Sequence, residues 1–500
     1  MRTTQIFLAS TLYGMATLAA ALDSDCFGPA DRRLLLVSNN APIPETSPSL
    51  DTMAGFEVLR ERFDGVLSWN ETIAPMHPGG WAPRADDVPL WERQLRRAWD
   101  LEDDRIELAV ESIQVNPAGA VAQLFPDAPL HVYADGLMSY GPTRNKLDPL
   151  VGSRVRRVLH LDLVPGLEPL LLGEFGVGAE VIPTAAFTKV VAELAAQGPD
   201  VDVPEGAALL LGQYLAALSI LTEAEEERLH LAMVRGAAAR GHRHIVFKPH
   251  PSAPPAWSAS LRTEAEALGV ELTVLDSPLL AEVVYERIRP ALVGGCFSTA
   301  LLTASAFYGI PVARTGTELL LDRLTPYQNS NRVPVTLVDA LVAPLEGEAP
   351  EPPDDLAALV AAVGYAMQSE IRPDLRPAAE RYLARHLTPH TWRYFKRRRL
   401  TTLALPGAIP SQLSFIPRNA TVRRGGGGLR VGVRRARIAY AAQRRGPRPR
   451  PEPGPEPGPE PGPEPELGGR GPHDGPGLPP PYTASAPAIT IRRPASKRSS

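Results

Sequence analysis

Short apolar runs alternate with longer stretches of helical periodicity through the first 190 residues of the chain. Runs of four to eight apolar residues bounded by turn-forming residues read as strands, and apolar positions repeating every three to four residues read as helices. On this basis Gln5–Ser10, Leu34–Ser38, Gly65–Trp69, Arg105–Val110, Leu130–Ala134 and Arg157–Leu161 are expected strands. Ser49–Arg62 and Leu90–Trp99 are expected helices between them. A second series begins near Ala207. It predicts strands Ala208–Gly212, His244–Lys248, Glu271–Leu275, Ala291–Gly294 and Pro311–Arg314. Its helices are Thr222–Arg240, Trp257–Leu268, Leu279–Arg287 and Ser298–Tyr308, and Thr222 with Glu225 forms a capping-box pattern. Such alternation predicts an α/β fold with two mainly parallel, Rossmann-like sheets.

The N-terminus has two readings. Arg2, an apolar stretch and Ala19-Ala20-Ala21 imitate a secretory signal. Hydroxyl residues at Thr3, Thr4, Ser10, Thr11 and Thr17 interrupt that stretch, favouring a strand, a turn at Leu12-Tyr13-Gly14 and a helix over Met15–Leu22. No run approaches the ~18 apolar residues of a spanning helix.

Punctuation divides the chain further. The polar, proline-broken segment from Gln197 to Pro204 reads as a linker, and Pro344 to Asp355 as a loop before a last helical region ending near Arg399. The expected domains are therefore 1–198, 199–400 and a tail over 401–500. Beyond Gly425 the sequence stops looking globular: a Gly run, an Arg-rich stretch, then Pro-Glu-Pro-Gly repeats over Pro451–Pro465, which favour extended polyproline conformation and a disordered tail.

Charge follows the same division. Between Arg423 and Ser500 there are 15 basic and 6 acidic residues, although the 500-residue chain carries a net −4. An acidic body argues against nucleic acid as a partner, while a basic tail suits peripheral contact with the anionic inner face of a membrane. The run Lys396-Arg397-Arg398-Arg399, with Arg434, Arg435, Arg444 and Arg445, is the candidate for that contact. Two cysteines, Cys26 and Cys296, fit a reducing, cytoplasmic setting, and no Cys/His cluster has metal-ligand spacing.

Three short motifs fall at the C-terminal ends of expected strands, where open α/β sheets bind ligands. Leu130–Gly136 delivers Asp135 to such an end, suited either to deprotonating a hydroxyl or to forming an Asx turn. Ile245–Pro251 presents Lys248 and His250 from a stiff Lys-Pro-His-Pro loop, suited to a leaving phosphate. Leu292–Leu301 runs from a strand through Gly294 and Gly295 to Ser298 and Thr299 at a helix start, suited to phosphate binding or simple capping.

In this order the three motifs resemble those of bacterial sialyltransferases, in particular the polysialyltransferase family, which carry an acidic-acidic-Gly, a His-Pro and a Ser-Ser or Ser-Thr motif. The resemblance runs from about Thr4 to Lys396. It implies a GT-B fold, two Rossmann-like domains facing a central cleft, with a closing helix that crosses back to the first domain. It also implies an inverting transfer of sialic or a related nonulosonic acid from a CMP-activated donor to a glycan acceptor, with no cofactor or metal required. Asp135 becomes the general base, His250 the aid to CMP departure, and Lys248, Gly295, Ser298 and Thr299 the phosphate site. Gln213, after the first strand of the second series, resembles a further position near the donor. The chain departs from the family at Ala134, where the first acid is expected. CDP-glycerol-type transferases share the Lys-x-His-Pro and Ser features, and loss of the first acid also suits a non-catalytic scaffold.

Other residues carry weaker expectations. His131, on the same strand as Asp135, reads as structural, and Asn39-Asn40 as a turn. Tyr327-Gln328-Asn329 reads as a solvated loop or part of a nucleotide pocket. Trp69, His77 and Trp81 are candidates for an aromatic lip around an acceptor sugar.

Overall fold

The computed structural model describes residues 1–134, 136–198, 203–213, 215–250, 256–348 and 353–408. The Pro-Glu-Pro-Gly tail and the arginines beyond residue 408 fall outside them, as does Asp135.

Two parallel sheets form the body. The first contains β1 (Thr3–Ala9), β2 (Arg32–Val37), β3 (Gly65–Ser68), β4 (Arg105–Val110), β5 (Leu130–Ala134), β6 (Val155–Leu161) and β7 (Gly178–Ile182), in the order β3-β2-β1-β4-β5-β6-β7. The second contains β8 (Ala208–Leu211), β9 (His244–Lys248), β10 (Glu271–Val274), β11 (Leu292–Gly295) and β12 (Val312–Arg314), in the order β10-β9-β8-β11-β12. Each sheet grows outward from its first strand in one direction, then reverses. The reversals lie between β1 and β4 and between β8 and β11. These are the switch points where connections leave to opposite sides and a crevice opens at the carboxyl edge.

The N-terminal segment is an interior strand of the first sheet, flanked by β2 and β4. Ile6 and Leu8 face one apolar core while Phe7 and Ala9 face the other, so both sides of β1 are buried and its sequence runs apolar without alternation. The helix begins at Leu12, earlier than the expected turn allowed, because the Thr11 hydroxyl caps it by accepting from the Gly14 amide at 2.9 Å. Its alanines lie close under the sheet, buried on nearly every side.

The long helix expected over Ser49–Arg62 is instead a 3-10 turn at Leu50–Thr52 and a short helix at Phe56–Arg60. Gly55 separates them with φ of +92°, and a β-carbon there would lie 2.7 Å from Leu194. A left-handed residue ends helical continuity at that point. The capping box at Thr222 and Glu225 forms as expected.

The two sheets are joined through helices rather than hung on a bare linker. Helix Thr184–Gln197 buries Phe187, Val190, Val191 and Leu194, packs on helix Ala281–Ile288, and sets Phe187 edge-on to Phe307 at 5.8 Å. Arg287 donates to the Ala195 carbonyl (3.1 Å) and the Gly198 carbonyl (2.7 Å) at the end of that helix. One apolar cluster consequently runs through both halves. The closing region, with helices Leu356–Met367, Arg376–His386 and Arg397–Thr402, returns to the first half. Gln368 donates to the Arg144 carbonyl at 2.8 Å and Arg372 to the Leu170 carbonyl at 2.8 Å. Among the described residues no helix is long and apolar enough to cross a membrane.

Candidate active site

The carboxyl edges of the two sheets meet. The Leu137 amide lies 3.4 Å from the Thr299 hydroxyl oxygen, and a β-carbon on Gly136 would sit 3.0 Å from the same atom. Gly136 is extended, so its small size serves close approach rather than an unusual backbone angle. Asp135 itself is outside the described residues, but Ala134 ends β5 on one side of it and Gly136 touches the second half on the other.

Ser298 and Thr299 open helix Thr299–Tyr308. The Ser298 hydroxyl accepts from the Ala300 amide at 3.2 Å, which is ordinary capping, and its O–H proton is still available to donate. Gly295 is the last residue of β11, with its carbonyl taken by the Thr315 amide at 2.8 Å. Gln213, just beyond β8, accepts from the Phe297 amide at 3.0 Å. Its carbonyl therefore holds the turn into Ser298, and its amide N–H₂ group is the part that remains for a ligand.

Lys248 and His250 leave the end of β9, with β8 between β9 and β11. Two strand spacings, about 10 Å, separate that end from the Ser298 turn. Lys248 donates to the Ser277 carbonyl at 2.9 Å, so its ammonium ties down the loop after β10. Burial lowers its pKa, with Glu282 and Asp276 opposing. His250 is exposed at the edge. Loss of hydration beside the surrounding chain lowers its pKa, and the charge of Lys248 lowers it further. The imidazole is thus biased toward the neutral form, ready to be charged by an arriving anion.

Two acids that sequence reasoning passed over stand at the switch points. Glu111, one residue past β4, accepts from the Ser10 hydroxyl just past β1 and from the Tyr133 hydroxyl at 3.3 Å. It is half-buried, and its register against Tyr133 puts it on the same core side as Ala109, opposite to Ala134. In the second sheet, Glu226 is fully buried and accepts from the Leu215 and Ala216 amides, each at 2.7 Å. Burial raises its pKa against the effect of those two bonds. Glu226 fixes the loop that carries Gln213.

The remaining candidates separate clearly. His131 is buried edge-on to Phe27 at 5.8 Å, a structural position. Asn39 donates to the Pro44 and Ser47 carbonyls and exchanges bonds with Asn70, as a turn residue does. The aromatic lip is not formed. Trp69 is wholly buried and packs at a tilt against Trp81 (5.8 Å), which in turn meets Trp91 (5.0 Å), while of the three candidates only His77 is exposed. A Pro/Gly-rich loop looked solvent-facing, but its tryptophans supply the apolar cover that the sheet lacks there. Tyr327 is likewise no solvated residue: it is buried and donates to the Tyr394 carbonyl at 2.9 Å. Within the basic run, Lys396 pairs with Asp322 and Arg399 donates to the Ala366 carbonyl, so both serve the fold.

The sequence profile of the alpha-2,8-polysialyltransferases matches residues 5–317. No curated protein sequence matches the chain. Similar solved structures include the GT-B domain of a sialyltransferase from Photobacterium damselae, with 11% identity, 67% of this chain and 96% of that one covered, and a TM-score of 0.35. A glycosyltransferase from Rickettsia africae ESF-5 gives 10% identity, coverages of 76% and 93%, and a TM-score of 0.33. Glycyrrhiza uralensis UGT73P12 gives 12%, 89% and 100%, and 0.38. The profile spans β1 to the residues just past β12, and so takes in both sheets and the three motifs at their edges. With that span matched, the chain belongs to the alpha-2,8-polysialyltransferase family of glycosyltransferases.

Proposed function

We propose that the protein transfers sialic acid, or a related nonulosonic acid, from a CMP-activated donor to a glycan hydroxyl with inversion at the anomeric carbon. The acceptor oxygen forms the new bond to that carbon as the bond to the CMP phosphate breaks. Asp135 takes the hydroxyl proton, a role typically worth ~10²–10⁴ in rate for a positioned base. CMP departs with the electron pair, and His250, charged on donor binding, stabilises or protonates the leaving phosphate. The positive end of helix Thr299–Tyr308, with the Ser298 and Thr299 hydroxyls, receives that phosphate. Gln213 keeps the turn in shape, and Lys248 adds positive charge from beneath the loop after β10.

The observation that carries this reading is the approach of Gly136 and Leu137 to Thr299, which brings the two carboxyl edges to one seam. The basic tail, outside the described residues, would hold the enzyme peripherally at an anionic membrane face, where a growing glycan is accessible.

The test is a donor screen on the full chain. CMP-sialic acid should support transfer and CDP-glycerol should not, CMP should bind, and His250→Ala should abolish transfer with the fold retained. Absence of CMP binding at millimolar concentration would end the proposal.

A further inference from the structure

Along the seam from Thr299, the chain after β5 meets the second half again. Gly141 lies against Val333, with a would-be β-carbon 3.7 Å from that side chain, and Arg144 follows. Arg144 is held from both sides: its amide donates to the Gln114 side chain at 2.6 Å and its carbonyl accepts from Gln368 at 2.8 Å. Its half-buried guanidinium points across the seam to the Ser330 hydroxyl at 3.4 Å. Glu174, bonded to the preceding Thr143 hydroxyl at 2.9 Å, makes no ion pair with it.

Two residues beyond Ser330, Arg332 opens helix Arg332–Leu341 and is fully buried. Its Nε donates to the Tyr327 carbonyl (2.8 Å), its Nη2 to the Leu324 carbonyl (2.8 Å), and the guanidinium stacks 4.1 Å from the Tyr327 ring centroid. Its Nη1 has no partner. Among the described residues no carboxylate is paired with either arginine. Burial lowers the pKa of Arg332 and only Tyr327 opposes it, yet a guanidinium stays protonated at neutral pH. Arg332 is thus committed to its own loop, and Arg144 is the half-buried cation that reaches the seam.

We propose that Arg144 and Ser330 form a second anion site of the cleft that takes the carboxylate of a nonulosonic acid, separate from the phosphate site at Ser298 and Thr299. This rests on the functional reading above, because that donor and a sialylated acceptor each carry such a carboxylate. The planar guanidinium fork matches a carboxylate in two parallel bonds. The carboxylate belongs either to the donor sugar or to the terminal sugar of the acceptor.

Calorimetric titration of the full chain and of Arg144→Gln separates these sources. The probes are CMP, the non-transferable analogue CMP-3-fluoro-N-acetylneuraminate, and a free α-2,8-linked sialic acid trimer. CMP affinity should stay within twofold. Affinity for the donor analogue should fall about 10- to 100-fold if the donor carboxylate is bound, and affinity for the trimer by a similar factor if the acceptor carboxylate is bound. Arg144→Lys, which keeps the charge and loses the fork, should lie between parent and Gln. Unchanged affinity for both carboxylated probes overturns the site, as does an equal loss for CMP. A parent that binds the trimer through Arg144 but not CMP would sink the donor assignment and leave the anion site standing. A parent that binds neither carboxylated probe rules the site out.

Discussion

Glu111 accepts the hydroxyl of Ser10 where the first sheet reverses direction, between the ends of β4 and β1. The second sheet has a counterpart at its own reversal, where Gln213 beyond β8 accepts the amide of Phe297 beyond β11. In each half the crevice is pinned by one hydrogen bond between the two strands that define it, and the crevices face each other across the Leu137–Thr299 contact.

Replacing Glu111 with Gln keeps its shape but removes the carboxylate that accepts from Ser10 and Tyr133 at the reversal of the first sheet. Transfer should fall about 10- to 100-fold, on the scale of one charge-assisted contact at the reacting centre. CMP affinity and thermal stability should stay near parent values. Steady-state kinetics with a fluorescent acceptor measures the first; a variant with parental kcat and acceptor KM would remove Glu111 from the site.

Gly136 tests the seam. Because its backbone is extended, alanine is tolerable conformationally, but the new methyl would lie 3.0 Å from the Thr299 oxygen. Gly136→Ala should push the edges apart by a few tenths of an ångström and lower kcat/KM about tenfold, since misplacement near the reacting atoms is costly. Full activity in this variant would mean that the contact does not set the catalytic geometry.

The depressed pKa of His250 gives a signed pH effect. The free enzyme holds a neutral imidazole near pH 7, whereas bound phosphate favours imidazolium. CMP binding should therefore take up a proton, and affinity should rise as pH falls from about 8 toward the ordinary His value of about 6.5. Calorimetry in buffers of different ionisation enthalpy reads the uptake directly. His250→Asn should lose it, and an equal uptake in that variant would exclude His250.

Glu226→Ala leaves the buried Leu215 amide and the half-buried Ala216 amide without an acceptor. About 1–3 kcal/mol of desolvation cost for each unsatisfied group, less for the half-buried Ala216 amide, predicts a loss of roughly 2–4 kcal/mol in urea unfolding. Loosening of the Gln213 turn should also weaken CMP binding. A loss under about 1 kcal/mol would show that water replaces the carboxylate.

Most strands of both sheets are readable because β1, β5, β9 and β11 are largely apolar runs buried on both faces, whereas the edge strand β7, exposed from Gly178 to Val181, gives no such signal. The three motifs were readable because they stand immediately after such runs. Glu111 was not: it follows a strand exactly as Asp135 does, but without a glycine behind it, and the Ser10 it meets lies 101 residues away in sequence. Glu226 was hidden inside an acidic first turn, where Glu225 had already been assigned to the cap and its neighbour looked solvated. The tryptophans failed for the opposite reason. Proline and glycine around Trp69 and Trp81 signalled a surface loop, and only tertiary packing reveals that the loop folds its aromatic side chains inward. Arg144 gave no sequence signal, because its importance depends on which residues of the other half lack negative charge.

The Arg287 clasp on Ala195 and Gly198 sits where the chain passes from one sheet to the other, amid side chains that both halves bury together. Cutting the polypeptide after residue 198 would strip apolar cover from Val190 and Leu194 on one fragment and from Val284 and Tyr285 on the other, leaving two sticky pieces rather than two working modules.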